Sequence, residues 1–365
     1  MVANKVSILA VGDIVPDWTP PEFLFEPAHA TLKQADIRFG QLECPLSDNA
    51  KEQIFDAPIR TIKREKVAGL MYAGFDVISF AANHASARGE EGFYDTLDTL
   101  EKAKITVIGA GRNIVDARKP AIFERHGSKI GFLGYLSIVP KNHEAREDKP
   151  GIVPLRASGY YEPIDWHPGS APRVVTFPNK EDLDAMIDDV KKLRPLVDVL
   201  IVSMHFGLHH VPAVIAMYQK DMVHAAIDAG ADLILGHHAH VLKGIDVYKG
   251  KVVFYSLANF VMPSPKGFFR PGYLLFDIHS DPEYPYYTWH KDAKRTIIAK
   301  CVIANKKIER VSFLPVMMNK MAQPEVMRRK DPGFTEVLNY MKDITEGQGL
   351  TGKYAVDGDE VVVTT

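Results

Sequence analysis

The chain has few cysteines and no long apolar run, and both absences exclude broad classes of protein. It contains 2 cysteines, Cys44 and Cys301, which lie far apart in the sequence, so neither a disulfide framework nor a thiolate zinc site is expected. This cysteine content is typical of reducing compartments, and we expect a cytoplasmic location. No apolar run approaches the roughly 18 residues that cross a bilayer, so no membrane span is predicted.

An excess of one charge is also missing. Lys and Arg number 44 against 46 Asp and Glu, which gives a formal net charge of -2. A balanced chain lacks the basic surface that attracts nucleic acid or an anionic membrane. We therefore expect neither nucleic acid nor a membrane as a partner, and a small molecule or a peptide as the substrate. The oligomeric state does not follow from the sequence.

The order of apolar segments predicts an α/β fold. Short β-branched runs alternate with amphipathic stretches through the first two-thirds of the chain, which is typical of a largely parallel sheet flanked by helices. The first run is too short to be the core of a signal peptide and is not followed by a cleavage site of small residues. The predicted strands of this part are Val6–Val11, Ile37–Gln41, Asp76–Phe80, Ile105–Ile108, Lys129–Tyr135, Val199–Met204, Leu233–Leu235 and Val252–Ser256. The predicted helices are Thr61–Ala73, Glu90–Lys104, Glu181–Leu193 and Ala213–Ala229.

The length of the chain predicts one main domain with additions. At 365 residues it is longer than most single domains, and we expect a core over residues 1–315. Residues 140–178 interrupt the pattern with Pro, Gly and charged residues, and so long a loop is typical of a lid or binding segment. We interpret it as an insertion that faces the substrate. Residues 316–365 are predicted to form a C-terminal extension with a helix, Gly333–Ile344, and a tail.

Further strands are predicted after Met262. They are Tyr273–Ile278, Thr296–Ala304 and Glu309–Pro315, with a turn at Asn305-Lys306-Lys307 between the last two. We expect them to add antiparallel strands to a second sheet.

Side chains that can bind metals follow the ends of five predicted strands. They are Asp13, Glu43, Asn83 with His84, His205, and the tract His237-His238-Ala239-His240. The carboxyl ends of parallel strands lie along one edge of an open α/β sheet, so these five segments are expected to converge. Carboxylate, amide oxygen and imidazole together suit divalent cations such as Mn²⁺, Fe²⁺ or Zn²⁺.

Each of these residues also has a structural interpretation. Asp13 taken alone is compatible with a turn or a helix cap, and Glu43 before Cys44-Pro45 is open to either interpretation. Asn83 could satisfy a turn, and His84 could be a core histidine with paired nitrogens. The tract from His237 to His240 favours metal binding, because His-rich tracts commonly hold metal ions.

The motifs taken in order resemble those of the CapA family, which is linked to poly-γ-glutamate capsule synthesis and has the fold of the calcineurin-like metallophosphoesterases. The resemblance covers roughly residues 6 to 262. The matching motifs are Gly12-Asp13, Gln41-Leu42-Glu43, Ala82-Asn83-His84, His205-Phe206-Gly207, Gly236-His237-His238-Ala239-His240 and Ser256-Leu257-Ala258-Asn259-Phe260.

The resemblance implies a four-layer α/β/β/α sandwich whose two sheets contribute loops to a dinuclear centre of divalent ions. Glu43 becomes the candidate bridging ligand, and His84 becomes the acid/base. The implied metal ligands are Asp13, Glu43, Asn83, His205, His238 and His240.

The chain departs from the family pattern at several positions. Gln41, Ala87 and Ala258 stand where family members usually carry Asn, Asp and Gly, and a Glu usually found near His209 is missing. The usual His after the first Asp of the phosphoesterase pattern is also missing. These departures predict that one metal position is weak or bound differently.

The leading hypothesis is a metal-dependent hydrolase that cleaves an amide (glutamyl or peptide) or phosphoester bond through a metal-bound hydroxide. His84 would protonate the leaving group, and His209 and its neighbour His210 could supply protons or simply face solvent. Lys266 and Arg270 are candidates for binding an anionic substrate group.

Two other functions stay open. A metal-dependent peptide epimerase, known among CapA-like proteins, would use pairs of histidines to exchange an α-proton, and the extra His209 and His290 motivate this alternative. A non-catalytic accessory role in poly-γ-glutamate synthesis ranks third.

Overall fold

The computed structural model describes residues 5–48, 62–165, 169–264 and 281–364, which form two large β-sheets packed face to face and two small sheets of two strands each. The strands are β1 (Val6–Ile14), β2 (Ile37–Leu42), β3 (Val77–Ser79), β4 (Thr106–Ile108), β5 (Ala110–Gly111), β6 (Ala121–Arg125), β7 (Ser128–Leu136), β8 (Gly151–Ile152), β9 (Ala157–Glu162), β10 (Arg173–Pro178), β11 (Val199–His205), β12 (Leu233–His237), β13 (Ile245–Tyr248), β14 (Lys251–Phe254), β15 (Asn259–Val261), β16 (Arg295–Ala304), β17 (Lys307–Met318), β18 (Pro324–Val326), β19 (Lys353–Asp357) and β20 (Glu360–Thr364). The helices are α1 (Glu26–Leu32), α2 (Val67–Ala73), α3 (Gly89–Lys102), α4 (Ile114–Ala117), α5 (Lys180–Leu193), α6 (Met217–Ala229) and α7 (Pro332–Gly347).

The first sheet has the order β19-β20-β17-β16-β1-β2-β3-β4. Its parallel half runs from β1 to β4, and its antiparallel half begins where β16 pairs with β1. The short strand β15 also pairs with the carboxyl end of β1, in parallel, with Asn259 opposite Asp13. The second sheet has the order β13-β14-β12-β11-β7-β6, with parallel strands at its centre.

Strand β1 shows why the fold has layers. Its side chains alternate between two apolar surroundings: Ile8 lies in the core between the sheets, whereas Leu9 lies in the core under α1, α2 and α3. A strand that is buried on both faces reads as a continuous apolar run, which is the pattern seen in the sequence. On the outer face of the second sheet, α5 and α6 bury side chains such as Met186 and Met222. The predicted four-layer α/β/β/α sandwich is therefore confirmed.

Most predicted elements agree with the structure. The helix predicted over Thr61–Ala73 is a 3₁₀ turn, Arg64–Lys66, followed by α2, which ends at Gly74 with a φ of 78°. Such a left-handed residue closes a helix and favours glycine. Helix α1 was not predicted from the sequence. The predicted strand Tyr273–Ile278 lies outside the described residues.

The strands predicted after Met262 take a different place from the one expected. The sequence pattern predicts additions to a second sheet, but β16 and β17 extend the first sheet, with Val6–Ala10 of β1 opposite Ala299–Ile303 of β16. The reason is that β2 covers only one edge of β1, so the other edge is open for an antiparallel partner.

The C-terminal segment contains more regular structure than the predicted helix and tail. Helix α7 packs against the inter-sheet core through side chains such as Phe334 and Met341. Strands β19 and β20 form a hairpin whose second strand pairs with β17. The domain boundary at residue 315 stays a prediction, and β17 runs across it to Met318.

The proposed insertion contains the hairpin of β9 and β10, which pair with each other. It reaches the second sheet near the start of α6, where the Tyr218 N–H donates to Thr176 Oγ1 over 3.2 Å. In the part of the chain that the structure describes, no helix is long and apolar enough to cross a membrane.

Candidate metal centre

Loops from both sheets bring the predicted ligands to one end of the sandwich. In the first sheet, Asp13 lies at the end of β1, Glu43 directly follows β2, and Asn83 lies in the turn after β3. In the second sheet, β11 ends at His205 and β12 ends at His237. All five are carboxyl ends of parallel strands, which is where α/β sheets place their ligands.

Two main-chain segments, at Gly12 and at Ala258, approach each other closely at this end of the fold. A Cβ atom on Gly12 would lie 1.9 Å from the carbonyl oxygen of Ala258, so only glycine fits there. The Asp13 N–H donates to the same carbonyl over 2.9 Å. Ala258 itself has a φ of 61°, which is unusual for a residue with a side chain. This approach places β15 directly beside Asp13.

Three side chains lie around one nitrogen of His205, and we call Glu43, Asn83, His205 and His238 the Glu43 group. His205 Nε2 lies 2.9 Å from Asn83 Oδ1, 3.2 Å from His238 Nδ1 and 3.6 Å from Glu43 Oε1. Ligand atoms that share one cation at about 2.1 Å are separated by roughly 3.0–3.5 Å. The observed separations are close to that range, so the group could hold one ion.

A second set of donors lies beside the first, and we call Asp13, His237, His240 and Asn259 the Asp13 group. Asp13 Oδ2 lies 3.3 Å from His240 Nδ1, and Asp13 Oδ1 lies 3.5 Å from His237 Nδ1. Asn259 Oδ1 lies 2.8 Å from His240 Nδ1. One oxygen of Asp13, one oxygen of Glu43 and one nitrogen of His205 lie within 4.8 Å of one another, so the two groups adjoin.

The two carboxylates carry the strongest electrostatic signal. Both oxygens of Glu43 are buried without a hydrogen-bond partner among the described residues. Burial, together with the negative charge of Asp13, raises the pKa of Glu43 well above its usual value. Burial also raises the pKa of Asp13, but the close contacts of its oxygens with the rings of His237 and His240 lower that pKa by more, and the net shift is downward. A cation between the carboxylates would remove the repulsion, so these donors fit a divalent metal.

The histidines are in the form that binds metals. Burial lowers the pKa of His205 and of His238 well below the usual value, so both rings are neutral at pH 7 and each offers a nitrogen lone pair. His238 and His240 have φ values of 86° and 55°. Left-handed backbone at residues with side chains costs on the order of 1–3 kcal/mol each and concentrates at functional sites.

His84 lies at the edge of the Glu43 group. Its side chain is 24% exposed, and its Nε2 lies 4.0 Å from Glu43 Oε1 and 3.2 Å from Asn83 Nδ2, which donates to it. Burial and the charges of His240 and His143 lower the pKa of His84 to about 4. His84 is therefore a neutral imidazole next to the ligands.

His209 is beside the centre but outside both donor groups. Its ring stacks on His238 with 3.8 Å between the ring centroids, and burial lowers its pKa to about 3. A catalytic role for His209 stays a prediction. His290 has a structural contact instead, because its Nδ1 accepts a hydrogen bond from the main-chain N–H of Asp292. Lys266 and Arg270 lie outside the described residues.

Three residues near the ligands were not identified as site residues from the sequence. Asn259 belongs to a motif that we noted, and His237 belongs to the His-rich tract, but neither was assigned to the metal. Tyr287, whose hydroxyl accepts from Asn259 Nδ2 over 3.0 Å, follows residues 265–280 in the chain and had no local signal.

An open cavity of about 610 Å³ lies against the centre. Asn83 and His84 line one side of it, and Ser158 and Thr176 of the hairpin β9–β10 line another. Arg156 also lines the cavity, but its guanidinium binds both carboxylate oxygens of Asp182 at 2.7 and 2.8 Å. The cavity connects the hairpin to the candidate metal ligands.

Comparison with known proteins gives a consistent result. Residues 7–264 match the model of the family described as bacterial capsule synthesis protein PGA_cap. The chain is 31% identical over 269 residues to the PGA biosynthesis protein CapA of Bacillus subtilis (strain 168). This alignment covers 71% of this chain and 63% of that protein. It is 28% identical over 269 residues to the capsule biosynthesis protein CapA of Bacillus anthracis, with 71% of this chain and 60% of that protein covered. The chain thus spans a little over three-fifths of the length of these relatives.

Among solved structures, the chain is similar to the calcineurin-like phosphoesterase YfkN of Bacillus subtilis. That superposition covers 94% of this chain and 98% of the other, with a TM-score of 0.40 and 12% sequence identity.

Proposed function

The chain belongs to the PGA_cap family of bacterial capsule synthesis proteins, and from this premise we propose that it is a metal-dependent hydrolase of an amide bond, glutamyl or peptidic. The observation that carries the proposal is Glu43, a carboxylate that is buried against Asp13 with no hydrogen-bond partner among the described residues. An uncompensated buried carboxylate is costly, and a cation shared with its neighbours accounts for it.

The residues present fit two divalent ions, of which Mn²⁺, Fe²⁺ and Zn²⁺ suit the donors best. The Glu43 group would hold one ion, and Asp13 with His240 would hold the other. When bound, such ions acidify a water molecule and polarise the carbonyl oxygen of the substrate.

The chain's own residues supply proton transfer and positioning. His84 is neutral at pH 7, because its pKa is lowered to about 4, so its Nε2 can take a proton from water in place of the hydrogen bond from Asn83 and return it to the leaving amine. The Nδ2 group of Asn83 donates to His84 Nε2 and fixes the ring. Asn83 Oδ1 points in the other direction, towards His205.

The cavity favours an amide over a phosphoester. A phosphate dianion held by the two ions would gain further from a cationic side chain, but the charge of Arg156, which lines the cavity, is already neutralised by Asp182. Apart from His84, the other polar side chains among the described lining residues are uncharged hydroxyls and amides, such as Ser137, Asn179 and Tyr218. These groups are suited to hydrogen bonds with a neutral peptide backbone.

The test is incubation of metal-loaded protein with glutamyl peptides, ordinary peptides and aryl phosphates in D₂O. Amide cleavage is expected, and rapid turnover of the aryl phosphates with none of the peptides would contradict the substrate assignment. His84→Ala should abolish turnover with the metal content unchanged, whereas His238→Ala should also lower the metal content. Equal, mild effects of the two substitutions would favour a structural role for both residues.

Peptide epimerisation is the second candidate, and one observation favours it. His84 and His209 are two neutral imidazoles beside one set of ligands, and an epimerase needs two groups that exchange protons with the α-carbon. Deuterium at an α-carbon without bond cleavage, in the same D₂O experiment, would support this reaction.

A further inference from the structure

Asn259 is placed beside Asp13 by the fold. The two residues are opposite each other where β15 pairs in parallel with β1, and residues in register on neighbouring strands project to the same face. Both side chains are completely buried. Asn259 therefore contributes its amide to the interior of the Asp13 group.

The orientation of this amide follows from its hydrogen bonds. The Tyr287 hydroxyl donates to the carbonyl oxygen of Ala293 over 2.7 Å, and a carbonyl can only accept. The proton of the hydroxyl is thus committed, so its oxygen must accept from Asn259 Nδ2, which lies 3.0 Å away. The amide nitrogen faces Tyr287, and the amide oxygen faces the metal-binding side.

The Asn259 oxygen converges with two assigned ligands. Oδ1 lies 2.8 Å from His240 Nδ1, and the same nitrogen lies 3.3 Å from Asp13 Oδ2. Divalent cations in proteins are commonly held by three or four protein donors. Asp13 and His240 supply two and a bridging oxygen of Glu43 would supply a third, and an amide oxygen is a suitable further donor.

We propose that Asn259 Oδ1 is a ligand of the second metal ion and that Tyr287 is the residue that orients it. This inference rests on the proposed metal centre. The competing explanation is that Asn259 only accepts a hydrogen bond from His240 Nδ1–H and never contacts a metal.

The experiment measures metal content by elemental analysis and metal affinity by competition with a chelator. The full-length protein is used as wild type, Asn259→Ala, Asn259→Asp, Tyr287→Phe and Tyr255→Phe. Tyr255 is the matched control, because it is also completely buried but its hydroxyl has no hydrogen-bond partner among the described residues. Circular dichroism checks that each variant is folded, and the Co²⁺-substituted proteins give visible absorption bands that report the ligands of the ion.

We expect Asn259→Ala to lose about one of two ions and to alter the Co²⁺ bands, and Asn259→Asp to keep both ions because it retains an oxygen donor. Tyr287→Phe should weaken one ion on the order of 10-fold, as loss of an orienting partner does at other metal sites. Tyr255→Phe should match the wild type.

An Asn259→Ala variant with two ions, wild-type affinity and unchanged Co²⁺ bands would overturn the inference. If Asn259→Ala does not fold, Tyr287→Phe decides: wild-type affinity and bands in that variant contradict the orienting role and the ligand assignment with it. A wild-type protein that binds no ion would instead refute the metal centre itself.

Discussion

Replacement of Lys243 by Met tests how a buried cation supports the loop that carries His209 and His210. Lys243 follows the His-rich tract and is completely buried. Its ammonium group donates to the carbonyl oxygens of Val211 and Val214, the latter over 2.9 Å. No carboxylate pairs with Lys243 in the described segments. Lys243 therefore links the loop to the His-rich tract through main-chain oxygens alone.

The energetic consequence follows from the pKa. Burial lowers the pKa of Lys243 from 10.5 to about 7, a shift that corresponds to about 5 kcal/mol at about 1.4 kcal/mol per pH unit. The unfolded chain binds this proton more tightly than the folded protein does. The free energy of unfolding is therefore highest above the unfolded pKa of 10.5, and it decreases as the pH falls towards 7. Between pH 7 and pH 9 the wild type should therefore gain about 2 kcal/mol from this group.

The assay compares the free energy of unfolding of wild type and Lys243→Met at pH 7, 8 and 9, at constant ionic strength and metal concentration. Met has a similar length and no charge, so the variant removes the titration together with the two hydrogen bonds. The lost bonds displace the two stability curves by a constant, whereas the titration changes their separation with pH. For a chain of this length, 2 kcal/mol corresponds to a difference of about 3 °C in Tm. Parallel curves between pH 7 and 9 would refute the reasoning.

Two further substitutions test the packing. Gly12→Ala should destabilise the protein by about 3 kcal/mol or more and lower its metal content, because the new Cβ would lie 1.9 Å from the Ala258 carbonyl oxygen. Thermal unfolding measures the stability and elemental analysis measures the metal content. A wild-type Tm would contradict the close approach. Asn113→Ala should lower the free energy of unfolding by about 1 kcal/mol with unchanged metal content, because Asn113 Oδ1 accepts from the Asp116 N–H at the start of α4. Asn113→Asp keeps this helix cap and should leave the free energy of unfolding nearly unchanged. Equal losses in the two variants would argue against capping.

Much of the candidate metal centre could be predicted, because the position of its residues depends on a general property of parallel sheets. Asp13, Glu43 and His205 each follow an apolar run that reads as a strand, and the ends of such strands share one edge. The pattern of strands alone does not choose among the neighbouring histidines, and only the family resemblance implied His238 and His240 as ligands. His237 points into the interior towards Asp13. His238 and His240 reach the ligand groups because their backbone is left-handed, and no local sequence pattern predicts that conformation.

The parts that were missed depend on contacts between distant segments. Asn259 lies beside Asp13 because β15 pairs with β1, far away in the chain, and Tyr287 is joined to Asn259 by a hydrogen bond. The hairpin of β19 and β20 pairs with a strand that is distant in the sequence, since Val361 of β20 lies opposite Phe313 of β17. Its sequence also contains Gly358 and several charged residues, which are typical of an irregular tail.

The antiparallel neighbour of β1 limits how the protein can be shortened. The region that matches the family ends at residue 264, but the main-chain partners of Val6–Ala10 lie on β16, after residue 295. A fragment cut at residue 264 would leave the strand that carries Asp13 with an exposed edge, open to pairing with other chains and to aggregation. The unit that folds cooperatively is therefore longer than the unit that sequence similarity outlines.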